Sequence, residues 1–213
     1  IVLGAYDGSG TGTIEVATNR TLTYNGLIAD SGSGPDSLAK RGLGTLVLGG
    51  SNPFSGGTDY ADVNSGVIRI DHANGLGATG TIRFPGSGTL RYGAGITIDL
   101  SSRIVTGLPI FRTMFDTNGN DVVFASPLAG GGRFEKWGPG QLSLTFLGTT
   151  ELFVVFVKGG ELAVPVGTLR LTGAASESIG PDTYGPASLL VDDATISMTG
   201  GTLQAADSLL IGY

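Results

Sequence analysis

Residues 38–70 read Leu38-Ala-Lys-Arg-Gly-Leu-Gly-Thr-Leu-Val-Leu48, then Gly49-Gly-Ser-Asn-Pro-Phe-Ser-Gly-Gly-Thr58 and, after a short gap, Gly66-Val-Ile-Arg-Ile70. Successive side chains of a strand point to opposite faces. The alternation in Thr45–Leu48 and Val67–Ile70 therefore predicts two short strands, each with one apolar face. The Gly, Asn, Pro and Ser residues between them are typical of a turn.

A second, altered copy of this stretch begins at Phe134-Glu-Lys-Trp-Gly-Pro-Gly-Gln-Leu-Ser-Leu144. Lys40 matches Lys136, Leu46 matches Leu142, and the strand after the turn returns at residues 160–164. Residues 21–29 also align with residues 121–129, so the two copies cover about residues 21–70 and 121–164. Internal repeats of this kind usually decide the architecture.

One short phrase, Gly-x-Ile/Leu-x-apolar, recurs along the whole chain. It begins at Gly12, Gly44, Gly66, Gly80, Gly88, Gly140, Gly160, Gly167 and Gly201. Further alternating strands are predicted at residues 21–24, 96–100, 121–124 and 195–198. No segment with a helical period accompanies them, so the chain is predicted to be all-β.

The spacing of the phrase is close to the length of one coil or half-coil of a parallel β-helix, a β-solenoid. In such a fold each strand stacks on the equivalent strand of the next coil, and the inward residues form apolar columns. The alternative is a β-sandwich, for which Asn25-Gly26, Asn74-Gly75 and Asn118-Gly119 supply possible hairpin turns. We expect residues 1–213 to form a single β-helix segment of a longer chain.

Composition excludes several classes of function. The net charge of −6 and the absence of a basic run argue against nucleic acid as a partner. The chain has no Cys and one His, so a transition-metal site is not expected, and neither EF-hand spacing nor calcium-binding nonapeptides are present. The longest apolar run, residues 152–157, is too short to span a bilayer, so no transmembrane segment is predicted. No cofactor is predicted either.

The pattern of residues 38–58, with Lys40, Gly42, Gly44, Asn52 and the residues spaced around them, resembles the autotransporter-associated β-strand repeat, also called the passenger-associated transport repeat. The second copy keeps Lys136, Gly138 and Gly140 but loses the following turn. The resemblance implies a right-handed parallel β-helix passenger that is exported and is displayed on, or released from, a Gram-negative-type cell surface.

Catalytic residues are not predicted. His72 is interpreted as a turn residue, because no nucleophile elbow accompanies it. The carboxylate pairs Asp59 with Asp62, Asp116 with Asp121, and Asp192 with Asp193 would be candidates for glycoside chemistry, which needs two carboxylates at a defined separation. Asp192 and Asp193 are adjacent, so a regular strand would point them to opposite faces.

Two sets of side chains are candidates for surface roles. Arg69, Arg83, Arg91 and Arg170 occupy the outward fourth place of the phrase and are predicted to form a ladder beside acidic neighbours or to keep the solenoid soluble. Apolar residues that depart from the phrase form a candidate contact surface: Ile104, Leu108, Ile110, Phe111, Met114, Phe115, Trp137, Phe153 and Phe156.

These observations predict a structural or surface-display segment of a secreted bacterial protein: a stalk, an autotransporter passenger or an extracellular filament unit with an adhesive role. It would be extracellular or at the cell surface, anchored to the outer membrane or released. Its partners would be adjacent repeats or other copies, through end-to-end or side contacts, and host or matrix glycans or proteins. The alternative is a polysaccharide lyase, a hydrolase or a glycan-binding module on a β-helix.

Overall fold

The computed structural model of the protein describes residues 1–4, 9–32, 34–172, 188–205 and 208–211. The chain divides into two compact units, unit 1 at Ile1–Ile96 and unit 2 at Thr97–Tyr213. Within the described residues of both units, regular structure is almost entirely β, with one short 3₁₀ turn at Ser101–Arg103.

Unit 1 contains two stacks of parallel strands. The first stack runs in the order β1, β3, β5, β7, and the second in the order β2, β4, β6, β8. Consecutive strands therefore alternate between the two stacks, as expected for successive coils of a solenoid. The bounds are β1 Thr11–Glu15, β2 Thr21–Tyr24, β3 Ser37–Arg41, β4 Thr45–Leu48, β5 Gly57–Tyr60, β6 Asn64–Ile70, β7 Thr81–Arg83 and β8 Ser87–Tyr92.

Unit 2 repeats this plan and adds a third stack. Its strands are β9 Ile104–Val105, β10 Arg112–Asp116, β11 Val122–Phe124, β12 Arg133–Trp137, β13 Gln141–Leu144, β14 Thr149–Leu152, β15 Val154–Ala163, β16 Thr168–Leu171, β17 Ser188–Ser197, β18 Thr202–Ala205 and β19 Ser208–Ile211. The long strand β15 pairs with β12 through its first half and with β13 through its second half. Strands β14, β16 and β18 form the third stack.

Apolar columns fill the interior of each unit. In unit 1, Leu46, Ile68 and Leu90 are register partners on consecutive coils and are fully buried. In unit 2, Phe115 packs on Phe134, with ring centroids 5.2 Å apart. The strand pairs among the described residues are parallel, so the predicted β-solenoid is confirmed and the sandwich alternative is wrong. The hairpin signal failed because Asn118 and Gly119, both with positive φ, serve a coil corner rather than a two-residue hairpin.

The matched lysines occupy the same corner of each unit. Lys40 Nζ donates to the carbonyl oxygens of Arg41, Gly42 and Ser65 at 2.7, 2.7 and 2.8 Å. Lys136 Nζ donates to the corresponding carbonyls of Trp137, Gly138 and Gly159 at 3.0, 2.7 and 3.1 Å. Both lysines are fully buried. Each ammonium thus supplies three donors to corner carbonyls, of which those of Arg41 and Trp137 also accept from the N–H groups of Val16 and Thr117.

One predicted strand is wrong. Residues 96–100 are not a strand, although Ile96, Ile98 and Leu100 alternate with polar residues. Ile96 N–H instead donates to the carbonyl of Gly93 in a turn, and Asp99 Oδ1 accepts from the N–H of Ser101 at 2.8 Å. A side chain that bonds nearby backbone competes with a strand ladder, and here it leads into the 3₁₀ turn.

Candidate functional site: a charged and aromatic outer face

In unit 2, the outer face of the stack formed by β10, β12 and β15 differs in character from its counterpart in the first sequence copy. Register partners in a parallel sheet share a face, and β12 pairs with β10 on one side and β15 on the other. Phe134 and Lys136 of β12 point inward, so the alternate residues Arg133, Glu135 and Trp137 point outward. We call this surface the β12 face; it comprises Arg112, Met114, Asp116, Arg133, Glu135, Trp137, Val154, Phe156 and Lys158.

The equivalent face of unit 1 is plain. There β3 carries Ser37, Ala39 and Arg41 at the positions of Arg133, Glu135 and Trp137. Its main charged feature is one bidentate ion pair, in which Arg83 Nε and Nη2 donate to Asp59 at 2.7 and 2.9 Å. The same scaffold therefore carries small and polar side chains in one copy and large, charged and aromatic side chains in the other.

Glu135 is the centre of the β12 face. It is fully buried and accepts bonds from three side chains. Arg112 donates through Nε and Nη2 at 2.7 and 2.8 Å, Arg133 through Nε at 2.7 Å, and the Trp137 indole N–H at 2.7 Å. A buried carboxylate needs such partners, because an unpaired one costs several kcal/mol.

These partners decide the chemistry that Glu135 can perform. Burial alone would raise the pKa of Glu135, but the bonds from Arg112 and the charge of Arg133 lower it below its ordinary value. A general acid in glycoside hydrolysis needs a raised pKa so that it carries a proton near neutral pH. Glu135 is therefore suited to orienting its neighbours and not to donating a proton.

Two cations flank the Trp137 ring from the neighbouring coils. The guanidinium carbon of Arg112 lies 5.7 Å from the ring centroid, and Lys158 Nζ lies 5.4 Å from it. Trp137 and Lys158 are half-buried, and the Arg112 side chain is 33% exposed. Lys158 makes no ion pair with any residue that the structure describes. Cation–π contacts of this kind hold the cations in place while leaving part of each in water.

An apolar cluster supports the charged residues. Phe156 is fully buried beneath Arg133, whose guanidinium carbon lies 4.1 Å from the ring centroid. Phe153, Val154 and Leu190 join Phe156 in one buried cluster. Two members of the β12 face, Val154 and Phe156, are therefore fixed in a buried apolar cluster, and rigid packing of this kind is what a preformed binding surface requires.

The structure places the predicted contact residues in two environments. Ile104, Phe115, Phe153 and Phe156 are buried. Leu108 and Ile110 are 62% and 64% exposed, and Phe111, Met114 and Trp137 are half-buried. Met114, Trp137 and Phe156 come together on the β12 face through the strand register. A contact role stays a prediction, and the exposed and half-buried side chains are the ones that can meet a partner directly.

Four charged residues of the β12 face were missed by sequence reasoning: Arg112, Arg133, Glu135 and Lys158. A signal existed, because the alternation Arg133-Phe-Glu-Lys-Trp137 assigns Arg133, Glu135 and Trp137 to one face. It could not be used without knowing that Phe134 points inward. Assigning Arg112 and Lys158 to the same face also requires the register of β10 and β15, which is a long-range property.

Five of the candidate catalytic groups have structural partners: His72, Asp59, Asp62, Asp116 and Asp121. His72 Nδ1 accepts from the N–H of Asn74 at 3.0 Å in a turn. Asp59 pairs with Arg83, and Asp62 accepts from the N–H of Gly42 at 2.8 Å. Asp192 and Asp193 are exposed, and the positive φ of Asp193 interrupts the regular alternation of β17.

The outward arginines pair mainly with acidic neighbours. Arg69 and Arg91 are register partners on β6 and β8, and Arg69 also makes a bidentate pair with Asp71. Arg83 pairs with Asp59, and Arg170 with Glu151 at 2.7 Å, each across adjacent coils. Two of the four predicted ladder members therefore stack directly on each other, and three lie beside carboxylates.

Within the described ranges, no three His, Asp or Glu side chains lie close enough together to hold a metal ion. Nor does any helix in this part of the chain have the length and apolar character needed to cross a membrane.

The sequence of the chain is similar to that of a known surface protein. A relative of 31% identity over 212 residues is the adhesin BmaC autotransporter of Brucella suis biovar 1 (strain 1330). The chain is similar to an autotransporter adhesin. The match covers 95% of the chain but only 5% of the relative's length. No family model matches the chain, and no solved structure matches it.

The comparison agrees with part of the sequence-based interpretation. Together with the parallel β-solenoid, it supports an autotransporter-like passenger at the cell surface or outside the cell. That relative is named as an adhesin and not as an enzyme, which fits the expected non-enzymatic role. The assignment of the two copies to one particular repeat family stays a prediction.

Proposed function

We propose that the chain is part of the passenger of a surface-displayed autotransporter adhesin. The observation that carries this proposal is the parallel β-solenoid in both units, combined with similarity to an autotransporter adhesin along 95% of the chain. The role is mechanical and adhesive: stacked coils satisfy their backbone hydrogen bonds along the stack and present their outer faces for contact. Residues 21–70 and 121–164 are two copies of the autotransporter-associated β-strand repeat, the second one altered.

The adhesive part of the proposal is supported by the β12 face. Trp, Met and Arg are enriched at protein contact surfaces, and this face has all three supported by a buried cluster. Glu135 is held ionised by its partners, which favours binding over hydrolysis at this face.

Contact with adjacent repeats or with other copies of the chain is also part of the proposal, because parallel coils offer strand edges that another chain can pair with. Electron microscopy of the purified protein, with single particles distinguished from fibres, tests that contact.

Surface display and adhesion are tested in the same cells. The chain is fused to the translocator of an unrelated autotransporter and produced in a laboratory Gram-negative strain; the control strain carries the translocator alone. We expect antibody labelling and protease removal of the chain on intact cells, and greater attachment of these cells to cultured epithelial cells. Production without surface labelling would contradict display, whereas labelling without increased attachment would contradict only the adhesive role.

A further inference from the structure

We infer that the β12 face binds a linear acidic polysaccharide, through the cations beside Trp137 and the exposed part of the Trp137 ring. This inference rests on the proposed adhesive function and names the ligand class of that function.

Charge is the first argument. Arg112, Arg133 and Lys158 stand against the carboxylates of Glu135 and Asp116, which leaves an excess of one positive charge on the β12 face of a chain whose net charge is −6. Asp116 shares the face, but its Oδ1 accepts from the N–H of Asn118 at 2.9 Å, so that oxygen is held at the corner. Asp192 is exposed and adjoins Lys158 in register, so it limits the positive region on the β17 side.

Preorganisation is the second argument. Glu135 fixes the guanidinium of Arg112 with two bonds and the indole of Trp137 with one, so these groups lose little further freedom when a ligand binds. Lys158 lies against the rings of Trp137 and Phe156 at 5.4 and 5.7 Å. Its ammonium is therefore positioned but has no anionic partner among the described residues, and a ligand carboxylate or sulfate can supply that charge.

Spacing and shape favour a polysaccharide over a single small anion. The Arg112 guanidinium carbon and Lys158 Nζ lie 5.7 and 5.4 Å from the centroid of the same Trp137 ring, so the two charges are within about 11 Å of each other. Acidic groups along an alternating uronic acid polymer recur at a comparable interval. Trp137 lies between the two cations and offers apolar ring surface to the carbon-bound hydrogens of a sugar.

The test is binding of the purified chain to immobilised polymers. Hyaluronan supplies carboxylates, chondroitin sulfate supplies carboxylates and sulfates, dextran is the neutral control, and poly-glutamate represents an acidic protein partner. We expect binding to one or both acidic polysaccharides and none to dextran. Equal binding to dextran, stronger binding to poly-glutamate, or no binding to either acidic polysaccharide would overturn the inference.

Two variants separate the contributions of charge and ring. Lys158→Gln removes one charge-assisted bond and is expected to weaken binding at least about tenfold. Trp137→Arg installs the residue of the first copy; it adds a positive charge but removes the ring, and we expect it to weaken binding too. Tighter binding by Trp137→Arg would overturn the role of the ring, because simple charge attraction would then explain the interaction.

The matched control is Arg41→Gln at the equivalent position of unit 1. Its side chain is 53% exposed, and its Nε lies 3.9 Å from Asp62, so the substitution should leave folding and polysaccharide binding unchanged. Circular dichroism of each variant checks that the fold is kept, and Trp137→Phe retains a ring if a larger change disturbs the sheet. Display and cell attachment without polysaccharide binding would overturn this inference alone, whereas failure of display concerns the proposed function.

Discussion

Lys40 and Lys136 show how one residue type serves the same backbone geometry in two distant copies. Each side chain lies in an inward position, between Ile14 and Tyr60 in unit 1 and between Phe115 and Val157 in unit 2. The apolar part of the chain fits the column, while the ammonium reaches the corner carbonyls. A charge in the core is tolerated here because all three of its donors find acceptors.

Replacing either lysine by methionine should therefore destabilise the protein. Lys40→Met and Lys136→Met keep the length of the side chain but remove the donors, so three corner carbonyls in each unit lose the bond from the ammonium. We expect the free energy of unfolding to fall by about 3 kcal/mol for each variant. Urea titration followed by circular dichroism measures it, and Arg41→Met should change it by less than about 0.5 kcal/mol. Loss of the same size in all three variants would contradict the role of the corner bonds.

The same lysines give stability a pH dependence. Burial lowers the pKa of each from 10.5 to about 8, so between pH 8 and 10 the unfolded chain binds more protons than the folded one. The free energy of unfolding should therefore rise with pH across this window. Above it, burial of Tyr60, which raises the pKa of its hydroxyl, acts in the opposite direction. Urea titrations at several pH values should show the rise in the natural chain and lose it in a Lys40→Met, Lys136→Met double variant.

At the scale of the element, a buried polar side chain joins one coil to the next. The amide of Asn52 accepts from the N–H of Ile28 at 2.9 Å and donates to the carbonyl of Gly75 at 2.7 Å. In unit 2 the Thr150 hydroxyl accepts from the N–H of Leu128 at 3.1 Å, the equivalent of the first of these bonds. The altered turn of the second copy thus keeps one coil-to-coil bond with a different residue.

This difference predicts unequal costs for matched substitutions. Asn52→Ala leaves a buried donor and a buried acceptor without partners and should cost about 2–4 kcal/mol, whereas Thr150→Val leaves one donor and should cost about 1–2 kcal/mol. Hydrogen exchange of the backbone amides is the direct measurement. We expect faster exchange at Ile28 in the first variant and at Leu128 in the second. Unchanged exchange at both amides would show that these bonds do not hold the coils together.

The strands with paired inward aliphatic residues were the predictable ones. The alternation around Leu46 and Leu48 identified β4 and its parallel stacking, whereas β5, Gly57–Tyr60, has Thr58 and Tyr60 inward and gives no apolar period. For the β12 face, sequence reasoning selected Trp137 and Met114 as unusual apolar residues. It could not select Glu135, because a carboxylate is expected in solvent until the register of β10 brings Arg112 to it beside Arg133 of its own strand.

At the scale of the whole molecule, coils are the units of the fold. Thr45 of β4 is the register partner of Val67 of β6, so residues 44–65 are one coil of unit 1. In a solenoid each coil contacts mainly its neighbours, so removing a complete coil lets the flanking coils restack. Removing part of a coil instead moves inward side chains out of their columns.

Deletion of residues 44–65 should therefore give a folded but less stable protein, whereas deletion of residues 44–54 should not fold. Far-UV circular dichroism and resistance to limited proteolysis distinguish the two outcomes. Equal protease resistance of both deletion variants would show that coil register does not govern the fold. Loss of structure in both would show that residues 44–65 carry interactions that no other coil can replace.

The corner lysines also make folding depend on which end of the chain folds first. Each ammonium binds two carbonyls of its own corner and one that lies later in the chain, Ser65 for Lys40 and Gly159 for Lys136. When the chain folds from its C-terminal end, the later acceptor is already in place before the lysine folds. All three bonds of the ammonium can then form at once. When the chain folds from its N-terminal end, the ammonium lacks its third acceptor until the next coil has formed. Single-molecule refolding traces should therefore differ between chains that fold from one end and chains that fold from the other. We expect longer pauses at these two corners when folding starts at the N-terminal end.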